Sequence, residues 1–160
     1  MSKNDAVRIV TADISLLEDW TRLRAALWPE SSREDHHREA EEFLLTPSSD
    51  AVVLLALADG SRTAGFVEVA LRRDYVNGCV SSPVAFLEGI YVDRNWRRGG
   101  IARLLVKAAE AWAMERGCSE FASDADLGNT VSHAMHERLG FEETERVVYF
   151  RKQLASPADR

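Results

Sequence analysis

Residues 94–103 read RNWRRGGIAR and stand between VAFLEGIYV (84–92), an apolar run of strand character, and IARLLVKAAEAWAMERG (101–117), apolar at helical spacing. A strand that feeds a helix through glycines leaves the first helical N–H groups unpaired and adds the positive end of the helix dipole, which together make an anion site. Phosphate is the usual occupant. Gly99 and Gly100 let the backbone come close to such an anion, and Arg97, Arg98 and Arg103 add charge around it. A merely basic turn with two glycines is spelled the same way, so the loop alone leaves both readings open. Two other phosphate loops are excluded by spelling: there is no Gly-Lys-Ser/Thr for a nucleoside triphosphate and no G-x-G-x-x-G for a dinucleotide.

Working outward from this stretch, VRIVT (7–11) predicts a strand, and Leu16, Trp20, Leu23 and Leu27 recur at helical spacing until Pro29 stops the pattern. REDHHREAEEFLL predicts a second helix lying on the surface with Ala40, Phe43 and Leu44 turned inward. VVLLAL (52–57) and AGFVEVALRR (64–73), joined through Asp59-Gly60, predict an antiparallel hairpin. After the long helix come a strand EFASD, a helix from about 129 to 139 and a last strand EETERVVYFRKQL. Antiparallel strands followed by strand–helix–strand–helix–strand predict an α/β (α+β) fold, a mixed central sheet with helices on both faces.

The 160 residues are 46% hydrophobic, enough for one core, and they predict one domain over residues 1–154 with a loose tail at 155–160. No window approaches the roughly 18 unbroken apolar residues of a membrane span, and MSKNDAVRIV lacks a signal peptide's apolar segment, so a soluble cytoplasmic protein without membrane partners is expected. Cys79 and Cys118 form neither a disulfide framework nor a paired CxxC metal site. A net charge of −6 argues against a nucleic-acid partner and is compatible with a cationic small molecule.

Arg97-x-x-Gly100-x-Ala102, preceded by Leu87-x-x-Ile90-x-Val92, resembles the acetyl-coenzyme A signature of the GNAT superfamily of N-acetyltransferases. The order of elements is similar to that fold over nearly the whole chain. Five separated blocks resemble, more narrowly, the aminoglycoside 6′-N-acetyltransferases: 74–79, 81–84, 86–90, 122–124 and 140–146. The resemblance implies acetyl-coenzyme A as co-substrate, an aminoglycoside as acceptor, and a homodimer; the cysteine and histidine spacings lead us to expect no metal. It puts the coenzyme's pyrophosphate at Arg98, Gly99, Gly100, Ile101, Ala102 and Arg103. Its pantetheine arm would run along the backbone of Ile90, Tyr91 and Val92, with Asn129 also against the coenzyme.

Acetyl transfer to an amine needs a held thioester, a neutral amine, a stabilised oxyanion and a proton for the thiolate. Asn129 fits an N-cap as well as a coenzyme contact. His136 stands where many members of the superfamily carry a tyrosine as acid toward the thiolate; an imidazole suits that role, and packing equally. His133 and His136, three residues apart without carboxylate or cysteine company, do not make a metal pair. Glu88 lies in an apolar strand, where a carboxylate requires a cationic partner, and Asp124 ends the next strand. With Glu145, and with Trp28 and Tyr75 as flat surfaces, these residues resemble a pocket for a polycationic sugar. Either Glu88 or Asp124 is the expected acceptor of the amine's proton.

Overall fold

The computed structural model describes residues 7–59 and 62–159. Gly60 of the expected hairpin turn and Arg160 of the expected tail lie outside the described residues, as do residues 1–6. The elements are β1 (Arg8–Thr11), α1 (Leu17–Leu27), α2 (Arg33–Leu45), β2 (Ala51–Ala58), β3 (Arg62–Arg72), β4 (Val84–Val92), α3 (Ile101–Glu115), β5 (Phe121–Ser123) and α4 (Thr130–Arg138). One sheet has the order β1-β2-β3-β4-β5. Its first four strands are antiparallel neighbours, and β5 pairs parallel to β4 through Ala85↔Phe121, Phe86↔Ala122 and Leu87↔Ser123.

The AVVLLALA run of β2 is apolar throughout because both faces of the sheet are covered. Val52, Leu54, Ala56 and Ala58 face α3, which presents Ile101, Leu105, Val106, Ala109 and Ala113 as one buried stripe. Val53 and Leu55 face the opposite layer, with Phe66, Trp20, Leu23 and Ala40 from β3, α1 and α2. Of the residues expected to turn inward from α2, Ala40 is fully buried and Phe43 and Leu44 are half-buried. Among the described residues no helix is long and apolar enough to cross a membrane.

The last expected strand does not form. Residues 141–154 belong to no helix or strand, and Val148, Tyr149 and Phe150 are 67%, 85% and 94% exposed. Strand propensity is a preference for a pleated, half-buried surface. Here the β-branched and aromatic run finds no neighbouring strand among the described residues.

Candidate active site

β4 runs five residues beyond its last pairing with β5. Its edge from Glu88 to Val92 therefore carries no partner strand on that side among the described residues, while β3 occupies the other. Ile90, Tyr91 and Val92 lie on this open edge, and it leads directly to the glycine loop. There Arg98 and Gly100 take φ of 65° and 79°, the left-handed region. For Gly100 this costs little; for a branched residue it would be strained. Gly100 is the N-cap of α3, and no side chain caps the helix or places an acid in its first turn. By contrast Ser32 caps α2 and Asn129 caps α4, with Asn129 Oδ1 accepting from Ser132 N at 3.1 Å. The start of α3 thus keeps its N–H groups for an anion. Ile101 is buried below, Ala102 is half-buried, and Arg103 reaches across to donate to the Arg138 carbonyl at 3.3 Å. An uncapped helix start, arginines and an open strand edge in line suit a long ligand with a pyrophosphate at one end.

Beside the fork between β4 and β5 lies a cavity of about 820 Å³ that takes in Tyr75, Asp124, His136 and Glu145. Among the described residues eight carboxylates line it, those of Glu110, Glu120, Asp124, Asp126, Glu137, Glu142, Glu143 and Glu145, against the two arginines Arg72 and Arg146. Tyr75 is 77% exposed on the loop 73–83. That loop is anchored by Glu120, whose carboxylate accepts from Val80 N at 2.9 Å and Ser81 N at 2.7 Å and from the Ser81 hydroxyl. The Ser81 hydroxyl, with the two backbone N–H groups, holds this carboxyl below the usual range.

Glu88 and Trp28 sit elsewhere. The β3–β4 register passes from Glu68↔Gly89 to Val69↔Leu87, so Glu88 is the unpaired residue of a β-bulge. The bulge turns its side chain outward, 37% exposed, where Arg72 Nη2 donates to both carboxylate oxygens at 3.0 and 3.2 Å. The cationic partner that the apolar strand demanded is therefore supplied by the chain itself. Arg72 also lies 3.5 Å over the Phe86 ring and lines the large cavity, which makes it the link between Glu88 and that space. Glu88 lines a second cavity of about 260 Å³ with Trp20, Arg24, Glu39 and Glu68. Glu68 is held there by Trp20 Nε1 at 3.0 Å and by Arg24, and burial pushes its carboxyl up in spite of them. Trp28 packs across Gly89, where a Cβ would come within 2.5 Å of the indole, and stacks with His36.

His136 is engaged on both sides of its ring, with Nε2 2.7 Å from Ser123 Oγ and Nδ1 2.7 Å from the Ser132 carbonyl oxygen. Sequence reading missed Arg72, Glu120 and Ser123. Arg72 was visible as the charged end of an apolar strand; Glu120 and Ser123 carry no local signature, because their partners lie 39–40 and 13 residues away. Among the described residues no group of three or more His, Cys, Asp or Glu side chains is arranged to hold a metal.

A family model described as the acetyltransferase (GNAT) family matches residues 17–141. The chain is 53% identical to an aminoglycoside N(6′)-acetyltransferase type 1 from Serratia marcescens over 146 residues, 91% of this chain and 99% of the relative. It is 48% identical to the protein of that name from Acinetobacter baumannii, over 92% of this chain and 99% of the other. Among solved structures, aminoglycoside antibiotic 6′-N-acetyltransferase AAC(6′)-Ih from Acinetobacter baumannii superposes with a TM-score of 0.87 at 46% identity, covering 93% of this chain and 99% of that one. AAC(6′)-Iy in complex with the bisubstrate analogue CoA-S-monomethyl-acetylneamine gives 0.84 at 42% identity, over 92% and 99%. The uncapped glycine loop, the forked strands and these likenesses agree: the chain belongs to the acetyltransferase (GNAT) family.

Proposed function

We propose that this protein transfers the acetyl group of acetyl-coenzyme A to the 6′-amine of aminoglycoside antibiotics by direct attack in a ternary complex, and so confers resistance. The observation that carries the acceptor is the acidic cavity at the fork of β4 and β5, whose eight carboxylates suit a polycationic sugar. Relatives of 45–53% identity bear the name of this activity. Acetyl-coenzyme A supplies the activated acyl group. The α3 N-terminus with Arg98 and Arg103 holds its pyrophosphate, and backbone N–H groups of the open β4 edge hold its arm and polarise the thioester carbonyl. Tyr75 offers a flat face to a sugar ring, and Glu145 adds charge to the pocket. The carboxylate of Asp124 is exposed and has no ion-pair partner among the described residues, so it is free to bind the ammonium and take its proton. Glu88, tied to Arg72 and lining the second cavity rather than this one, is not the base in this reading. The two cysteines are free thiols, which fits a reducing, cytoplasmic location. A coupled thiol-release assay with aminoglycosides that carry or lack a 6′-amine tests the reading. Thiol release confined to the 6′-amines is expected; release with polyamines or peptide amines and none with the drugs would replace it by another acceptor.

The same reading includes a homodimer. Val147, Val148, Tyr149 and Phe150 leave apolar side chains of both alternating sets exposed, a patch that a second copy of residues 142–154 would cover. Because Glu145 and Tyr149 line the acidic cavity, that contact would also steady the drug pocket. Sedimentation at micromolar concentration should give a dimer, and Val148→Asp should dissociate it and weaken drug binding together. A monomer in the unaltered protein would refute the assembly.

A further inference from the structure

We infer that Ser123 delivers the proton to the departing coenzyme A sulfur, with His136 behind it as the positioning residue that recharges it. The inference rests on the acetyl-transfer reading and adds to it the identity of the acid. His136 Nδ1 stands 2.7 Å from the Ser132 carbonyl oxygen, and a carbonyl only accepts, so Nδ1 carries a proton in either charge state of the ring. Nε2, 2.7 Å from Ser123 Oγ, then accepts from the hydroxyl when the ring is neutral and donates to its oxygen when the ring is an imidazolium. Phe141 meets the imidazole edge-on at 5.3 Å. With Ser132 Oγ also 3.3 Å from Nδ1, the ring is held on its α4 side and turns Nε2 to Ser123.

The position of Ser123 explains what it would serve. It is the last residue of β5 paired with β4, opposite Leu87, and so stands at the fork where the open edge of β4 begins. Phe121, two residues earlier, packs with the core beneath α3, whereas Ala122 packs with Phe86 and Val76 in the other layer. By strand alternation the Ser123 hydroxyl belongs to the α3–α4 side, where the glycine loop holds the coenzyme, and its bond to α4 bears this out. In the step, the amine lone pair forms the C–N bond and the C–S bonding pair leaves on sulfur. Sulfur takes the Ser123 hydroxyl proton, and Oγ takes the Nε2 proton of the imidazolium. The imidazole regains a proton from water while the new amide nitrogen loses its own to water.

The full chain is compared with Ser123→Ala, Ser123→Thr, His136→Gln and the Ser123→Ala/His136→Gln double variant, on whichever amine the unaltered enzyme turns over. The choice of that amine reports on the acceptor reading, and the ratios between variants report on the relay. Ser123→Ala should lower kcat by roughly a hundredfold or more, the usual contribution of general acid catalysis. Acetyl-coenzyme A affinity by calorimetry and thermal stability should stay at the unaltered values. Threonine, which keeps the hydroxyl and suits a strand, should restore most of the rate. The solvent deuterium isotope effect of the unaltered enzyme should shrink in both single variants, and the double variant should be no slower than the slower single one, since the two groups act as a unit. Ser123→Ala with unaltered kcat, or losses that multiply in the double variant, would overturn the relay. So would an acetyl adduct on Ser123 in the intact mass after incubation with acetyl-coenzyme A alone, because the hydroxyl would then be a nucleophile.

Discussion

Gly100→Val should raise the apparent constant for acetyl-coenzyme A by roughly a hundredfold while the protein stays folded. Gly100 holds φ of 79° at the head of α3. An L-residue pays about 1–2 kcal/mol in that region, and a branched side chain pays more, so the loop would settle into a different turn. The first N–H groups of the helix would then point away from the pyrophosphate. Each hydrogen bond to a charged group is worth about 1.5–3 kcal/mol, and the loss of about 3 kcal/mol corresponds to roughly two powers of ten. The buried stripe of α3 begins at Ile101 and is anchored by Leu105 and Ala109, both fully buried, so the helix should remain docked. Calorimetric titration with coenzyme A and a circular dichroism melt separate the two effects. An affinity equal to that of the unaltered protein would remove the pyrophosphate from this loop.

Asp124→Asn keeps the shape of the side chain and removes its charge, and kcat/KM for a 6′-amine drug should fall by at least about a hundredfold. A charge-assisted bond to the ammonium contributes about 2–3 kcal/mol, and loss of the proton acceptor removes a factor of the order of 10²–10⁴ from kcat. Acetyl-coenzyme A affinity should change little, because the glycine loop lies at the far end of the open β4 edge. Steady-state kinetics with each substrate varied in turn gives the split between KM and kcat. Glu88→Gln should have the smaller effect, since Arg72 already neutralises that carboxylate. The reverse order of the two losses would make Glu88 the base.

Much of the fold is legible in the chain because its signals are local. Pro29 ends the first helix, the burial stripe of α3 recurs at helical spacing, and the glycine loop requires a strand before it and a helix after it. Of the two readings of Asn129, the N-cap is the one visible here, because a cap needs only the backbone three residues on. The glycine loop and its uncapped helix start were readable for the same reason: they are built from consecutive residues.

The acidic cavity was only half readable. A single residue of slippage between β3 and β4 makes Glu88 a bulge, and no spelling of VAFLEGIYV announces it, since a bulge depends on the register of two strands. That slippage put Glu88 outside on Arg72 and left Asp124 in the cavity. The Ser123–His136 contact likewise exists only because the fold brings the end of β5 to α4. The run 142–154 shows the limit from the other direction. Its residues favour a strand, but a strand needs a neighbour to donate to and accept from, and the described residues provide none. Properties that depend on consecutive residues, such as helix ends, burial stripes and the glycine loop, are written in the primary sequence. Properties that depend on which distant backbones meet, and in which register, come into being only with the packed molecule.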